Sequence, residues 1–206
     1  MKNFISTTAN ESILLSAMPV ATEIEKGSQS SCTLNISNYL ADNDDDPMVY
    51  VGTYRKYNEG SIYGKWVSLS ACEDYDTFYQ VCREIHKDED DPELMFQDFQ
   101  NFPDSMYSEC FGRDTFEKIM EYYEKFNEHG EAFSVWFNLF NDDDFDHFDD
   151  DYMGKYGSLE EYAEELVDEC YDLPDFAKTY FDYGKFARDL GYDGYYEDSG
   201  YVFYRH

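Results

Sequence analysis

Hydrophobic positions along the chain change their spacing several times, and each change marks an element. Residues 48–54 and 62–69 read as strands joined by the turn-forming Tyr57-Asn58-Glu59-Gly60. Tyr75, Phe78, Cys82 and Ile85 then recur at helical spacing and predict a helix over 74–86. Its ends agree with the helix dipole: Asp74 and Asp76 stand at the start, Arg83 and Lys87 at the finish. Alternation returns over 96–102 and predicts a third strand before Pro103. Phe116, Ile119, Tyr123 and Phe126 form the expected inner face of a helix over 114–127. On its outer face Asp114–Lys118 and Glu121–Lys125 are favourable i,i+4 pairs. A more apolar helix is expected over 131–140. Ser158-Leu159-Glu160-Glu161 is a capping box that opens a helix running to about residue 170. A further helix over 179–190 and a hairpin over 195–205, turning at Ser199-Gly200, close the chain.

Residues 1–47 lack this patterning. They contain only Phe4 and Tyr39 among the aromatics, hold eleven Ser or Thr, and end in Asp42-Asn43-Asp44-Asp45-Asp46-Pro47. Such composition reads as a flexible extension, with a short strand near 33–36. The remainder divides into an N-terminal α/β domain over 48–108, a central helical domain over 109–147 and a C-terminal α+β domain over 148–206. The expected fold class is α+β: an elongated chain of small domains, with an N-terminal antiparallel sheet and helix, a central helical section, and C-terminal helices with a β-hairpin.

Composition decides whether such a chain can fold. Leu, Ile, Val and Phe number 11, 7, 8 and 17, about 21% of 206 residues, close to the range of roughly 20% where charged chains stay disordered. The 21 Tyr and 2 Trp raise the total to 66, or 32%, and each aromatic ring buries about 150–250 Å². A core can therefore form. The balance of 46 acidic against 15 basic residues, a net charge of −31, excludes direct binding to nucleic acid, which requires a basic surface. It also opposes anionic membranes.

The acid is concentrated. In the helix expected from Ser158, Leu159, Tyr162, Ala163, Leu166 and Cys170 make one apolar stripe, while Glu160, Glu161, Glu164, Glu165, Asp168 and Glu169 occupy most other positions. No Lys or Arg occurs from Tyr156 to Phe176. The four like-charge i,i+4 pairs destabilise the helix by about 1–2 kcal/mol in total. The preceding stretch repeats the pattern: Asp142, Asp143, Asp144, Asp146, Asp149, Asp150 and Asp151 are broken only by Phe145, His147 and Phe148. Phe145, Phe148 and Tyr152 are spaced to anchor one side of a turn or short helix, which would turn the carboxylates to water together. These thirteen carboxylates, from Asp142 to Glu169, form the candidate partner-binding face. Duplex DNA carries one charge per about 1.7 Å of axis, so 31 charges match about 53 Å of duplex. A globule of this length has a radius of gyration near 17 Å. A slightly elongated molecule would therefore reach the charge density of B-form DNA.

Other chemistries lack their motifs. Asp142-x-Asp144-x-Asp146 begins like a calcium loop, but His147 replaces the required Gly at its sixth position and Met153 the Glu at its twelfth. His86, His129, His147 and His206 show no metal-ligand spacing, and no metal or other cofactor is expected. There is no P-loop, dinucleotide fingerprint or nucleophile elbow, so the chain does not read as an enzyme. Cys32, Cys72, Cys82, Cys110 and Cys170 are odd in number and contain no C-x-x-C pair. They read as reduced thiols of a cytoplasmic protein. Neither a secretory signal nor a membrane span is expected.

Three segments together resemble the ArdA antirestriction family. The first is Val49-Tyr50-Val51-Gly52-x-Tyr54-x-x-Tyr57-Asn58-Glu59-Gly60-x-x-x-Gly64-x-Trp66. The second is Asp151-Tyr152-x-Gly154-x-Tyr156-x-Ser158-x-Glu160-Glu161-Tyr162-Ala163-Glu164-Glu165-Leu166. The third is Tyr180-Phe181-Asp182-Tyr183-x-x-Phe186-Ala187-Arg188-Asp189-Leu190. The resemblance runs from about residue 48 to the end. It implies a protein borne on mobile elements in a bacterial host, which blocks type I restriction–modification enzymes. By the same resemblance it is an elongated dimer of three small domains per chain that imitates bent B-form DNA in the groove of the modification and specificity subunits. No catalysis or cofactor is implied. Asp151, Glu160, Glu161, Glu164 and Glu165 match family positions, whereas the run over 142–150 rests on charge alone. Two other readings remain open from the residues themselves: an acidic module for another basic DNA-binding protein, and a hydrolase built on an unmarked carboxylate pair.

Overall fold

The structure is a computed structural model and describes residues 34–41 and 45–205. Most of the stretch expected as an extension lies outside the described residues. Among these residues, eight α-helices and two antiparallel three-stranded sheets make an α+β fold.

The first sheet has the order β2-β1-β3, with β1 (Met48–Thr53) between β2 (Lys65–Ser68) and β3 (Leu94–Gln100). The segment expected as a plain turn between β1 and β2 contains α1 (Tyr54–Asn58), capped by the Thr53 side chain on Lys56 N–H. α2 (Tyr75–Ile85) lies where its period predicts, with the Asp74 side chain accepting from Thr77 N–H. It buries Phe78, Val81, Cys82 and Ile85 with Val49, Val51, Val67 and Phe96 of the sheet. Residues 34–41 pack as well. Leu34, Ile36, Tyr39 and Leu40 lie against this core, Leu40 bridges Val67, and Ile36–Asn38 form a 3-10 turn instead of the expected strand.

α3 (Arg113–His129) runs from this core into a second one. Phe116 and Ile119 are buried in the first, as expected. The next inward residue is Tyr122, while Tyr123 is half-buried and Phe126 exposed. Straight helix geometry explains this correction: 3.6 residues per turn brings 122 under 119 as readily as 123, and the second core lies on that side. α4 (Glu131–Phe140) supplies Phe133, Trp136 and Phe137, and α5 (His147–Asp151) is anchored by Phe148.

The second sheet has the order β4-β6-β5, with β4 (Tyr152–Lys155), β5 (Tyr195–Asp198) and β6 (Tyr201–Tyr204). Its hairpin turns at Ser199 and Gly200, both at positive φ (52° and 81°), which is the twist-matched two-residue turn. β6 has a core on each face. Tyr201 and Phe203 join the second core, and Val202 joins a third, as the two-residue period of a strand requires. Phe145 and Phe148, on either side of the expected domain limit at residue 147, are buried together in that second core. The third core lies between α6 (Leu159–Cys170) and α8 (Tyr183–Tyr192). The single helix expected over 179–190 is interrupted: α7 (Asp175–Thr179) ends, and Asp182 caps α8 through Lys185 N–H. None of the described helices is long and apolar enough to cross a membrane.

Candidate functional site

α6 begins as its capping box predicts. Ser158 Oγ accepts from Glu161 N–H at 3.2 Å, and the Glu161 carboxylate turns back to accept from Gly157 N–H at 2.6 Å. Its inner stripe contains Tyr162, Ala163 and Val167, with Leu159 and Leu166 partly buried. Cys170, expected in the stripe, is exposed at the C-terminal end of the helix. Glu160, Glu161, Glu164, Glu165, Asp168 and Glu169 are all exposed. Ten residues of helix extend about 15 Å, so six carboxylates give one charge per about 2.5 Å. That density lies between one strand of B-DNA and the full duplex. Among the described residues one cation approaches: Lys178 Nζ stands 2.6 Å from Asp168. Tyr156 lies beside the helix and donates its hydroxyl to Glu165 at 3.0 Å. Burial and that carboxylate raise its pKa to about 12, so it remains a donor.

The Asp-rich segment is built differently. Asp142 accepts from Asp144 N–H at 2.9 Å, and Asp144 from Asp146 N–H at 3.2 Å. These consecutive side-chain turns place Phe145 and Phe148 beneath the segment, where both are fully buried. Asp143, Asp144, Asp146, Asp149 and Asp150 are exposed. Asp142 is partly covered: its carboxylate pairs with Arg205 and lies 2.8 Å from His147 Nδ1. The Asp144 N–H, then the His147 ring and the Arg205 guanidinium, hold Asp142 well below the usual carboxylate range. Asp151 departs from the expected face altogether. It is buried, accepts from the Trp136 indole N–H at 2.8 Å and stands 3.4 Å from Arg205 Nε. A strand begins at Tyr152, and this carboxylate is drawn inward to satisfy a buried indole and an arginine.

The absence of nearby base in the sequence does not carry over to the folded segment. Lys118 pairs with Asp143, and Lys125 Nζ lies 2.9 Å from Asp146 and 3.6 Å from Asp149. These lysines were expected to neutralise Asp114 and Glu121 on their own helix. Their partners lie more than twenty residues away, and no local pattern marks them. α6 therefore carries the denser uncompensated charge.

Elsewhere the described residues offer little reactive chemistry. Cys72 and Cys82 are buried, and burial raises the Cys72 thiol to about 12 and pushes Cys82 well above the ordinary thiol value. Cys110 and Cys170 are exposed thiols, and Cys32 lies outside the described residues. No three His, Cys, Asp or Glu side chains converge as a metal-binding set among the described residues.

The segment that opens with Val49 is a structural signature rather than part of this surface. Tyr50 packs edge-on against Trp66 with ring centroids 5.4 Å apart, and donates its hydroxyl to Ile62 C=O at 3.0 Å. Gly64 lies so close that an added Cβ would stand 2.5 Å from Val51 O and 2.6 Å from Tyr50 Cε1. No curated protein sequence gives a match to the chain. The family model described as antirestriction protein (ArdA) matches residues 49–203, which take in all but the outermost residue of each sheet together with the acidic elements, and the chain belongs to this antirestriction family of inhibitors directed at restriction enzymes.

Proposed function

We propose that the protein imitates B-form DNA and competes with it for the DNA-binding groove of a type I restriction–modification enzyme, in contact with the modification and specificity subunits. The exposed carboxylates of α6 carry this reading. Glu160, Glu161, Glu164, Glu165, Asp168 and Glu169 ride on a capped helix packed into a core on its other side. The points from which they project are therefore fixed before any partner arrives. A rigid row of negative groups at nucleic-acid density releases the same counterions from a basic groove that phosphates release. Asp142, Asp143, Asp144, Asp146, Asp149 and Asp150 extend the surface, and Asp151 has no part in it. No cofactor or catalytic step enters the reading, and the protein acts in the cytoplasm of a bacterial host. A homodimer belongs to the same proposal, supported by the adjoining rings of Phe176 and Tyr180, which are 76% and 77% exposed.

The test is electrophoretic competition. Purified protein should displace duplex DNA from a type I methyltransferase, and the displacement should weaken steeply as salt rises. A methyltransferase that keeps its DNA at low salt, with protein in large excess, rejects the proposal.

A further inference from the structure

Three cations from outside the Asp-rich segment grip it at intervals. Arg205, from the end of β6, pairs with Asp142 at one end and stands 3.4 Å from Asp151 at the other. Lys118, from the middle of α3, donates to the Asp143 backbone carbonyl at 3.1 Å and pairs with its carboxylate. Two helical turns further, Lys125 lies between Asp146 and Asp149. The Lys125 side chain is 18% exposed, against 87% for Asp146. The cation is thus sunk beneath carboxylates that face water. Lys118 also lies 5.3 Å over the ring of Phe145, the side chain that pins the turn from below.

A surface meant only to be negative would do without these lysines. Seven aspartates in ten residues repel one another, and turn hydrogen bonds alone leave the carboxylates free to spread. Ordering them at the moment of binding would subtract from affinity. We propose that Lys118 and Lys125 are positioning residues of the partner-binding surface: they hold Asp143, Asp146 and Asp149 at fixed spacing, so losing their positive charge weakens association. This inference rests on the DNA-mimic reading above and adds to it the device that sets the spacing.

The two accounts predict opposite signs. Lys118→Gln with Lys125→Gln takes the net charge from −31 to −33. If charge alone mattered, the double variant would compete with DNA better than the wild type. Positioning predicts the reverse. Hydrogen exchange over 142–151 should accelerate, and half-displacement of duplex DNA from a type I methyltransferase should need roughly tenfold more protein. Lys118→Arg with Lys125→Arg should restore both. Lys65→Gln with Lys185→Gln makes the same charge change at exposed lysines that reach no carboxylate among the described residues, and should compete as well as the wild type or better. Either unchanged exchange or undiminished competition in the K118Q/K125Q protein overturns the positioning role. Failure of the wild type itself to displace DNA overturns the mimic reading, and is seen in a different sample from the variants.

Discussion

The indole N–H of Trp136 donates to the Asp151 carboxylate at 2.8 Å. A carboxylate from the most acidic stretch of the chain is thereby built into the core. Arg205 completes the pair, with its guanidinium 5.7 Å from the Trp136 ring and 4.7 Å from that of Phe140. Neighbouring aspartates in one run thus have opposite roles, and substitution should separate them.

Asp151→Ala leaves a buried indole N–H without an acceptor and removes one carboxylate from Arg205. The unsatisfied donor costs about 1–3 kcal/mol, and a truncated partner of a largely buried charge adds to it. A loss of about 2–4 kcal/mol in urea unfolding is expected. Asp150→Ala, one residue earlier and exposed, should stay within about 0.5 kcal/mol of the wild type. Equal effects at the two positions would contradict the inward placement of Asp151.

Stability and competition should move in opposite directions on α6. Glu160 and Glu164 repel each other one turn apart, and neither pairs with a cation among the described residues. Glu164→Gln relieves that repulsion and the one between Glu164 and Asp168, and leaves Glu160 in the first turn, where the helix dipole favours an acid. A gain of about 0.4–1 kcal/mol follows from two such pairs. The same change removes one of six charges from the row, so displacement of DNA from the methyltransferase should need more protein. A melting experiment and the competition assay on one sample check both signs.

The legibility of the chain follows the range of the interactions. α2, α4 and the closing hairpin were readable because their determinants are local: the cap at Asp74, the apolar run of 131–140, and the Ser199-Gly200 turn. β4 was missed because four residues beside the bulge at Gly154 carry little alternation, and their pairing partner lies nearly fifty residues away in β6. The α7–α8 break was missed because Asp182 looks like any helical acid until its side chain caps Lys185 N–H. In the candidate surface, α6 was readable from its own period. The pairing of the Asp-rich segment was not, since Lys118, Lys125 and Arg205 come from other elements and only the fold brings them near.

Two histidines should set the pH profile of stability from opposite sides. The hydrogen bond to Asp142 raises His147 against partial burial. Its contribution is fully present below the ordinary histidine value, about 6.5, and is lost as pH rises through the raised folded value. His86 runs the other way. Lys56 donates to its Nδ1 at 3.0 Å, so the neutral ring donates from Nε2 to Val51 C=O at 3.1 Å. Burial, with Lys56 adding to it, lowers its pKa. The unfolded chain then takes up a proton first, and stability falls as pH drops from about 6.5 toward the folded value. Urea midpoints should therefore peak near pH 6.5. His147→Asn should flatten the limb above that point and His86→Gln the limb below it. A variant that leaves its limb unchanged removes that histidine from the account.

Two glycines should respond to alanine with opposite signs. At Gly64 the new Cβ would meet Val51 O at 2.5 Å and Tyr50 Cε1 at 2.6 Å. Neither neighbour can give way: Val51 O accepts from buried His86, and the Tyr50 ring is tied to Ile62 C=O and packed on Trp66. Gly64→Ala should cost about 1–3 kcal/mol, the range for an overfilled contact. Gly191, in α8, has only Leu159 Cδ2 nearby, at an ordinary 3.9 Å. Alanine there removes the entropy penalty of a helical glycine and should stabilise by about 0.5–1 kcal/mol. Paired denaturation curves decide the matter. Stabilisation by Gly64→Ala would mean that the loop before β2 stands clear of β1, and that the glycine of this family signature serves something other than close packing.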